Sequence, residues 1–306
     1  KTGFCQRFRE LERRYHKYNV RFFWYPDTAN LLNFGIQQAD YAPLLRPHML
    51  KKHFFKYPEL RQKAVFYHDS DIIFTRRVDF EPFLADNTCY LSNARGYLGT
   101  GHFDDKAAFV KPGLKDEFIQ EDILDRCAKI IGISRQVCEQ NDQNAGGAQY
   151  ILKNIDHHFW EDVEMGAYRL RRLLNYELGG INAHYFPSEK EGIQSWCADM
   201  WALLWNLWKR NIPTATPASL NFCWATDKIE KWDLAGIYHD AGINDSNHHY
   251  LFNKRAPVYT IEGRLPYEVS HEHVSREYCS YNYVQYINKI KNRYYPQHEE
   301  SLCQIR

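Results

Sequence analysis

The sequence predicts an α/β fold, one continuous body with a mostly parallel central sheet flanked by helices. Three observations predict it. Helical spacing of Phe8, Leu11 and Tyr15 through residues 6 to 17 gives way at once to an extended apolar run from Val20 to Tyr25. The segment Lys63-Ala64-Val65-Phe66-Tyr67-His68-Asp69-Ser70-Asp71-Ile72-Ile73-Phe74 is an apolar run that stops on two carboxylates and then turns apolar again, as a buried strand ending in a ligand-binding turn would. No linker, low-complexity tract or repeat divides the 306 residues, although the length alone admits one large domain or two small ones.

The remaining elements follow in order. Pro43 and Pro47 bracket a turn, and Pro47 stands at the first position of a helix predicted to reach Phe55, with Pro58 beyond its end. Residues 64 to 67 and 89 to 92 read as strands, and Gly96, Gly99 and Gly101 predict a flexible loop after the second. A helix is expected over 117 to 131. The run Asn141-Asp142-Gln143-Asn144-Ala145-Gly146-Gly147-Ala148-Gln149-Tyr150 reads as a polar, glycine-bearing turn entering an apolar helix, a geometry that brings backbone N–H groups near a ligand or merely starts a helix. Asp156 is a good N-cap for an amphipathic helix carrying Phe159, Val163, Ala167, Leu170 and Leu174. From Ser195 to Arg210, Trp196, Met200, Leu203 and Leu207 form one apolar stripe and Trp201, Trp205 and Trp208 another, so this helix should be buried. Leu234 to Tyr238 reads as a strand ending in His239-Asp240-Ala241-Gly242, and a last helix spans about Tyr281 to Lys291.

Composition narrows the function. Lys and Arg total 39 against 38 acids, so no general field favours a polyanion and extended nucleic-acid binding is not indicated. The basic clusters Arg7 to Arg14 and Arg169 to Arg172 fit solvated helix faces. No stretch approaches the roughly 20 apolar residues of a membrane span. Aromatics make up 16% of the chain, with 22 Tyr and 8 Trp, a supply of apolar surfaces that still offer hydrogen bonds. Eight cysteines lack a C-x-x-C pair or a compact framework, which argues against structural zinc and fits a cytoplasmic setting. The sequon Asn244-Asp245-Ser246 keeps a secretory lumen open should the chain be trimmed.

Three groups of residues carry the chemistry. Alternate residues of an extended chain point the same way, so Asp69 and Asp71 can converge on one hard cation; the plain alternative is an Asx-type turn at a strand end. His239 stands at another strand end and is either a further ligand or a satisfied core histidine. Asp199 opens a helix that should be buried, where an unpaired carboxylate would be penalised, and Trp196 precedes it as a sugar platform or simply as core. Arg46, beside Pro47, is either a phosphate contact or an ordinary surface arginine. The adjacent pairs His157-His158 and His248-His249 diverge on regular structure and are not read as ligands.

Together these elements resemble a GT-A glycosyltransferase, in the order such an enzyme presents them: the strand with Asp69-Ser70-Asp71, the Asn144 to Gly147 turn, the acid-bearing helix from Trp196 to Asp199, and His239-x-x-Gly242. The resemblance implies a single GT-A-like domain over 1–306, with a nucleotide-sugar half at about 1–100 and an acceptor half at about 101–306. Such a fold usually begins on a strand, whereas this chain opens on a helix, which suggests trimming. The resemblance further implies Mn2+ or Mg2+ held by Asp69, Asp71 and His239 against a nucleotide-sugar donor, a UDP-sugar above all, with Asp69 on the metal or on the ribose. Arg46, Asn144, Gly146, Gly147 and Trp196 would contact the donor. The H-x-x-G spelling resembles glycogenin-like transferases, which place a lysine behind it on the diphosphate; here the nearest is Lys254, twelve residues past Gly242. Ser195 to Met200 resembles the x-E-D element of inverting GT-A enzymes, with Ala198 in place of Glu, so Asp199 is the first choice of general base toward a hydroxyl acceptor and Asp142 the second. Two other functions fit parts of the sequence. A D-x-D phosphohydrolase would use Asp69 as nucleophile, but it wants Thr or Val where Ile73 stands; a non-catalytic carbohydrate-binding protein would keep the fold without turnover.

Overall fold

A computed structural model describes residues 2–25, 41–110, 122–177, 192–243 and 249–294. It is mixed α/β. In chain order the elements are α1 (Thr2–Tyr15), α2 (Leu45–Lys56), β1 (Val65–His68), β2 (Ile72–Phe74), β3 (Cys89–Asn93), α3 (Arg95–Leu98), α4 (Thr100–Val110), α5 (Ile123–Ile131), α6 (Arg135–Asn141), β4 (Gly146–Leu152), α7 (His157–Arg172), α8 (Ala198–Lys209), β5 (Thr214–Ala215), β6 (Phe222–Trp224), α9 (Glu230–Leu234), β7 (Ile237–His239), α10 (Pro257–Thr260) and α11 (Cys279–Tyr294), joined by short 3-10 turns. Helix ends follow local chemistry. Asp122, Ser134 and Asp156 each accept a backbone N–H from the first turn of α5, α6 and α7, and Gly132 closes α5 in the left-handed region at φ 93°.

The strands form two sheets, and neither is mostly parallel. The first has the order β1-β4-β3-β5, with β4 antiparallel to both β1 and β3 and only β5 parallel to β3. The second has the order β2-β7-β6, antiparallel then parallel. The expectation of a mostly parallel sheet treated each helix as a crossover, whereas β1, β3 and β4 are neighbours that run in alternating directions.

The first sheet is covered on both faces, and its alternation shows how. Val65 and Tyr67 of β1, Leu91 of β3, and Tyr150 and Leu152 of β4 face the large core built with α2, α5, α7 and α8. Phe66, Tyr90 and Ile151 face the other way, onto Val78, Phe80, Phe83 and Leu220. All seven residues of β4 are therefore buried, and a run with no exposed side carries no period-2 signal. That explains the misreading of 141 to 150, where the turn enters a strand and not a helix. Among the Trp residues of α8, Trp201 and Trp205 stack at 6.2 Å and lie in the same core, as the double stripe predicts.

Three further expectations are corrected. Residues 20 to 25 form no strand. Gly96, Gly99 and Gly101 lie in or between the helical segments α3 and α4 and not in a flexible loop. The strand expected at Leu234 starts only at Ile237, because α9 runs through Leu234. Of the helix expected over 117–131, residues 117–121 fall outside the described residues, as does the sequon at 244–246.

Gly146 and Gly147 are packing glycines. A Cβ at Gly146 would lie 2.5 Å from Leu91 Cβ and 2.8 Å from the Ser92 carbonyl oxygen, where β3 shifts register against β4. Gly146→Ala is expected to lower stability by about 1–3 kcal/mol, read as the midpoint of a urea melt, because backbone atoms must move. Gly101→Ala, where a Cβ meets nothing within 4 Å, should leave the midpoint unchanged or raise it.

Candidate functional site

The two sheets meet at the acidic turn. β1 ends at His68, the chain passes through Asp69-Ser70-Asp71, and Ile72 opens β2 in the second sheet directly opposite His239 of β7. The backbone N–H of Asp240 donates to the Asp71 carbonyl at 2.9 Å, which locks the end of β7 onto the turn. In this register the imidazole is brought to both carboxylates: His239 Nε2 lies 3.4 Å from Asp69 Oδ2 and 3.4 Å from Asp71 Oδ1. One ligand atom from each of the three residues falls within 4.8 Å of the others. Two carboxylate oxygens and an imidazole nitrogen are a donor set that Mn2+ accepts readily and Mg2+ accepts through its oxygens.

Packing holds the imidazole. Trp224 of β6, paired with His239 in the parallel register, stacks on its ring at 5.1 Å with an interplanar angle of 30°, and Phe222 lies at 5.8 Å. Gln149 of β4 approaches the second ring nitrogen, with its amide nitrogen 3.4 Å from Nδ1.

Two cations flank the acids. Arg46, in the first turn of α2, donates from Nη1 to Asp69 Oδ1 and from Nη2 to Asp199 Oδ2, the latter at 2.5 Å. Lys254 Nζ donates to Asp71 Oδ2 and to the Asp240 carbonyl. The neighbouring acids respond in opposite directions. Burial pushes Asp69 above the ordinary carboxylate value, and Arg46 and His239 only partly oppose it. Burial acts the same way on Asp71, but hydrogen bonds from His239 and Lys254 outweigh it and hold this carboxyl well below the ordinary range. Asp240, almost fully enclosed, is pushed by burial up to about 6, against the pull of Lys254.

Asp199 joins this network from α8. It is 6% exposed; its backbone N–H donates to the Tyr41 hydroxyl at 2.8 Å, and the same hydroxyl lies 3.0 Å from Asp199 Oδ1. Tyr41 also meets the Trp196 indole edge-on at 5.6 Å. Trp196 is 44% exposed, unlike the buried tryptophans of α8, and the Arg171 guanidinium lies 6.0 Å over its ring.

Arg46, Asp69, Asp71, Asp199, His239 and Lys254 therefore converge, with Trp196 at the margin. The spacing of Lys254 from Gly242 is no obstacle, because its ammonium lies against Asp71. Asp142 is committed elsewhere: it accepts from Arg95 Nε at 2.6 Å and from the Thr100 backbone N–H at 2.7 Å, anchoring the start of α4, and no described contact joins it to the acidic turn. No described contact joins Asn144, Gly146 or Gly147 to that turn either, and side chains fill the space beside both glycines, Gly147 against Met200 and Leu98. The sequence reading missed Tyr41, Gln149, Trp224 and Asp240. Asp240 was in plain view beside His239; the other three carry no motif and become legible only once the sheets place them.

No family model matches the chain, and no curated protein or solved structure matches it. Among the described residues no helix is long and apolar enough to cross a membrane.

Proposed function

We propose that this chain is a metal-dependent glycosyltransferase of the GT-A kind, moving a sugar from a nucleotide-diphosphate sugar, a UDP-sugar by preference, to a hydroxyl acceptor. One observation carries the proposal: Asp69, Asp71 and His239, far apart in sequence, meet where two sheets abut, with Arg46 and Lys254 beside them and Asp199 one arginine away. The D-x-D phosphohydrolase reading gains nothing from this arrangement, since Arg46 on one oxygen of Asp69 and His239 toward the other suit a ligand better than a nucleophile.

The residues divide the work. Asp69, Asp71 and His239 hold the divalent ion, whose charge, when bound, neutralises the negative charge that builds on the departing diphosphate. Lys254 is placed to pass from Asp71 to a phosphate oxygen, and Arg46 fixes both Asp69 and Asp199 while pointing its charge at the same side. Asp199 keeps lone pairs beyond those used by Tyr41 and Arg46, so it can take the proton of an acceptor hydroxyl positioned against Trp196. A cytoplasmic setting accompanies this reading, as eight cysteines without a C-x-x-C pair or a compact framework suggest.

The test is donor hydrolysis. Purified protein with Mn2+ and a panel of nucleotide sugars should slowly release nucleoside diphosphate, and EDTA should stop the release; silence across the panel counts against the proposal. A second measurement isolates Lys254. With Asp71 no longer neutralised, Lys254→Met should bind Mn2+ alone about fivefold tighter, while UDP with Mn2+ binds about fivefold weaker, each on the order of 1 kcal/mol for a pair partly open to solvent. Titration calorimetry reads both, and two changes of the same sign would remove the lysine from the phosphate role.

A further inference from the structure

Gln149 presents a buried amide to the second ring nitrogen of His239, and only one end of that amide is engaged. It is fully enclosed, and its carbonyl oxygen has no hydrogen-bond partner among the described residues. Its amide nitrogen lies 3.4 Å from His239 Nδ1. An enclosed polar atom without a partner is normally selected against, because it has given up water and received nothing. Trp224 covers one face of the imidazole that the amide meets, and Phe222 lies beside it.

The chemistry of a ligating histidine supplies the missing partner. An imidazole that offers a lone pair at Nε2 carries its proton on Nδ1, and that N–H requires an acceptor. Amide nitrogen and oxygen exchange places when the terminal torsion of glutamine turns by half a revolution, so the 3.4 Å contact can set either end of the amide against Nδ1, and a proton on Nδ1 selects the oxygen. With the amide turned, the carbonyl oxygen faces Nδ1–H and Nε2 is left as a lone pair toward Asp69 and Asp71.

We propose that Gln149 is the positioning residue of the cation centre: its side-chain carbonyl accepts from His239 Nδ1–H, selects the Nε2 lone-pair tautomer and so makes this histidine a ligand. The proposal rests on the reading of Asp69, Asp71 and His239 as a divalent-cation site. Gln149 touches neither the ion nor the substrate and acts only through the imidazole. β4 delivers it, at a strand position opposite His68, one residue before the acidic turn begins.

The experiment measures Mn2+ binding to the whole protein without nucleotide, by loss of the free-ion electron paramagnetic resonance signal, in wild type, Gln149→Met and Gln149→Glu. Methionine matches glutamine in length and removes the acceptor, so Mn2+ affinity should fall about 10–100-fold. Thermal melting without Mn2+ reads the fold separately: losing the amide–imidazole contact should lower the midpoint by no more than a few degrees, too little to unfold the protein at the temperature of the binding measurement. Glutamate restores an acceptor at the same place and should bring Mn2+ affinity back to wild type or beyond. Wild-type affinity in Gln149→Met overturns the proposal while leaving the cation site standing. Weak binding in both variants also overturns it, since a merely structural role would not distinguish methionine from glutamate. Failure of the wild type to bind Mn2+ overturns the cation site itself, and this inference with it.

Discussion

Asp71→Ala is expected to abolish the thermal shift that UDP and Mn2+ produce together, and to lower donor turnover by about 10²–10³-fold. Asp71 offers one oxygen to the proposed ion and receives Lys254 on the other, so it is the carboxylate shared between the cation site and the phosphate side. The hydrogen bonds of His239 and Lys254 hold its carboxyl well below the ordinary range, so Asp71 itself releases no proton when an ion binds, and the proton to be moved is the one His239 Nε2 donates to it. Asp71→Asn separates charge from shape, because it keeps the size and one carbonyl oxygen but loses the negative charge; it should bind the pair of ligands far more weakly than wild type. The fold should survive either change, since Asp71 lies in a turn about one third exposed and the bond that locks β7 uses its backbone carbonyl. Circular dichroism checks the fold, and differential scanning fluorimetry checks the shift. A shift that persists in Asp71→Ala removes this residue from the ligand shell.

What could be read in the sequence was what chain-local chemistry writes. The apolar run broken by Asp69 and Asp71, the N-cap at Asp156 and the double tryptophan stripe of α8 all concern neighbours along the chain, and each lies where its pattern indicates. The sheet directions were lost because antiparallel neighbours β1, β4 and β3 are separated by long helical insertions, so their connections look like parallel crossovers. β4 was lost for another reason. Both of its faces are buried, and a strand of seven residues that begins on two glycines and exposes no side has no period to tell strand from helix. The site divides in the same way. Its acids and His239 stand at strand ends and advertise themselves, whereas Tyr41, Gln149 and Trp224 act through contacts made only in the folded chain. Gly146, Gly147 and Asp142 show the converse, a polar glycine turn that resembles a ligand loop and serves packing and helix anchoring.

Arg46→Met should destabilise the fold by about 3 kcal/mol, the low end of what breaking one side of a buried ion pair entails. The low end applies because solvent still reaches about a third of the Arg46 side chain, while Asp199 is nearly closed off from it. The substitution keeps an unbranched apolar stem and removes the one guanidinium that Asp69 and Asp199 share. Burial already raises the Asp69 carboxyl, so without Arg46 the cheapest response of the protein is to bind a proton or a cation there. A divalent ion can take that place between Asp69, Asp71 and His239. Mn2+ should therefore raise the melting temperature of Arg46→Met by more than it raises that of wild type, since stabilisation grows with the logarithm of ligand over its dissociation constant and the freed carboxylate lowers that constant. Donor turnover should fall in the same variant, because Asp199 has lost the group that holds it near the acceptor side. Equal Mn2+ shifts in the two proteins would mean that Arg46 and the ion do not compete for Asp69.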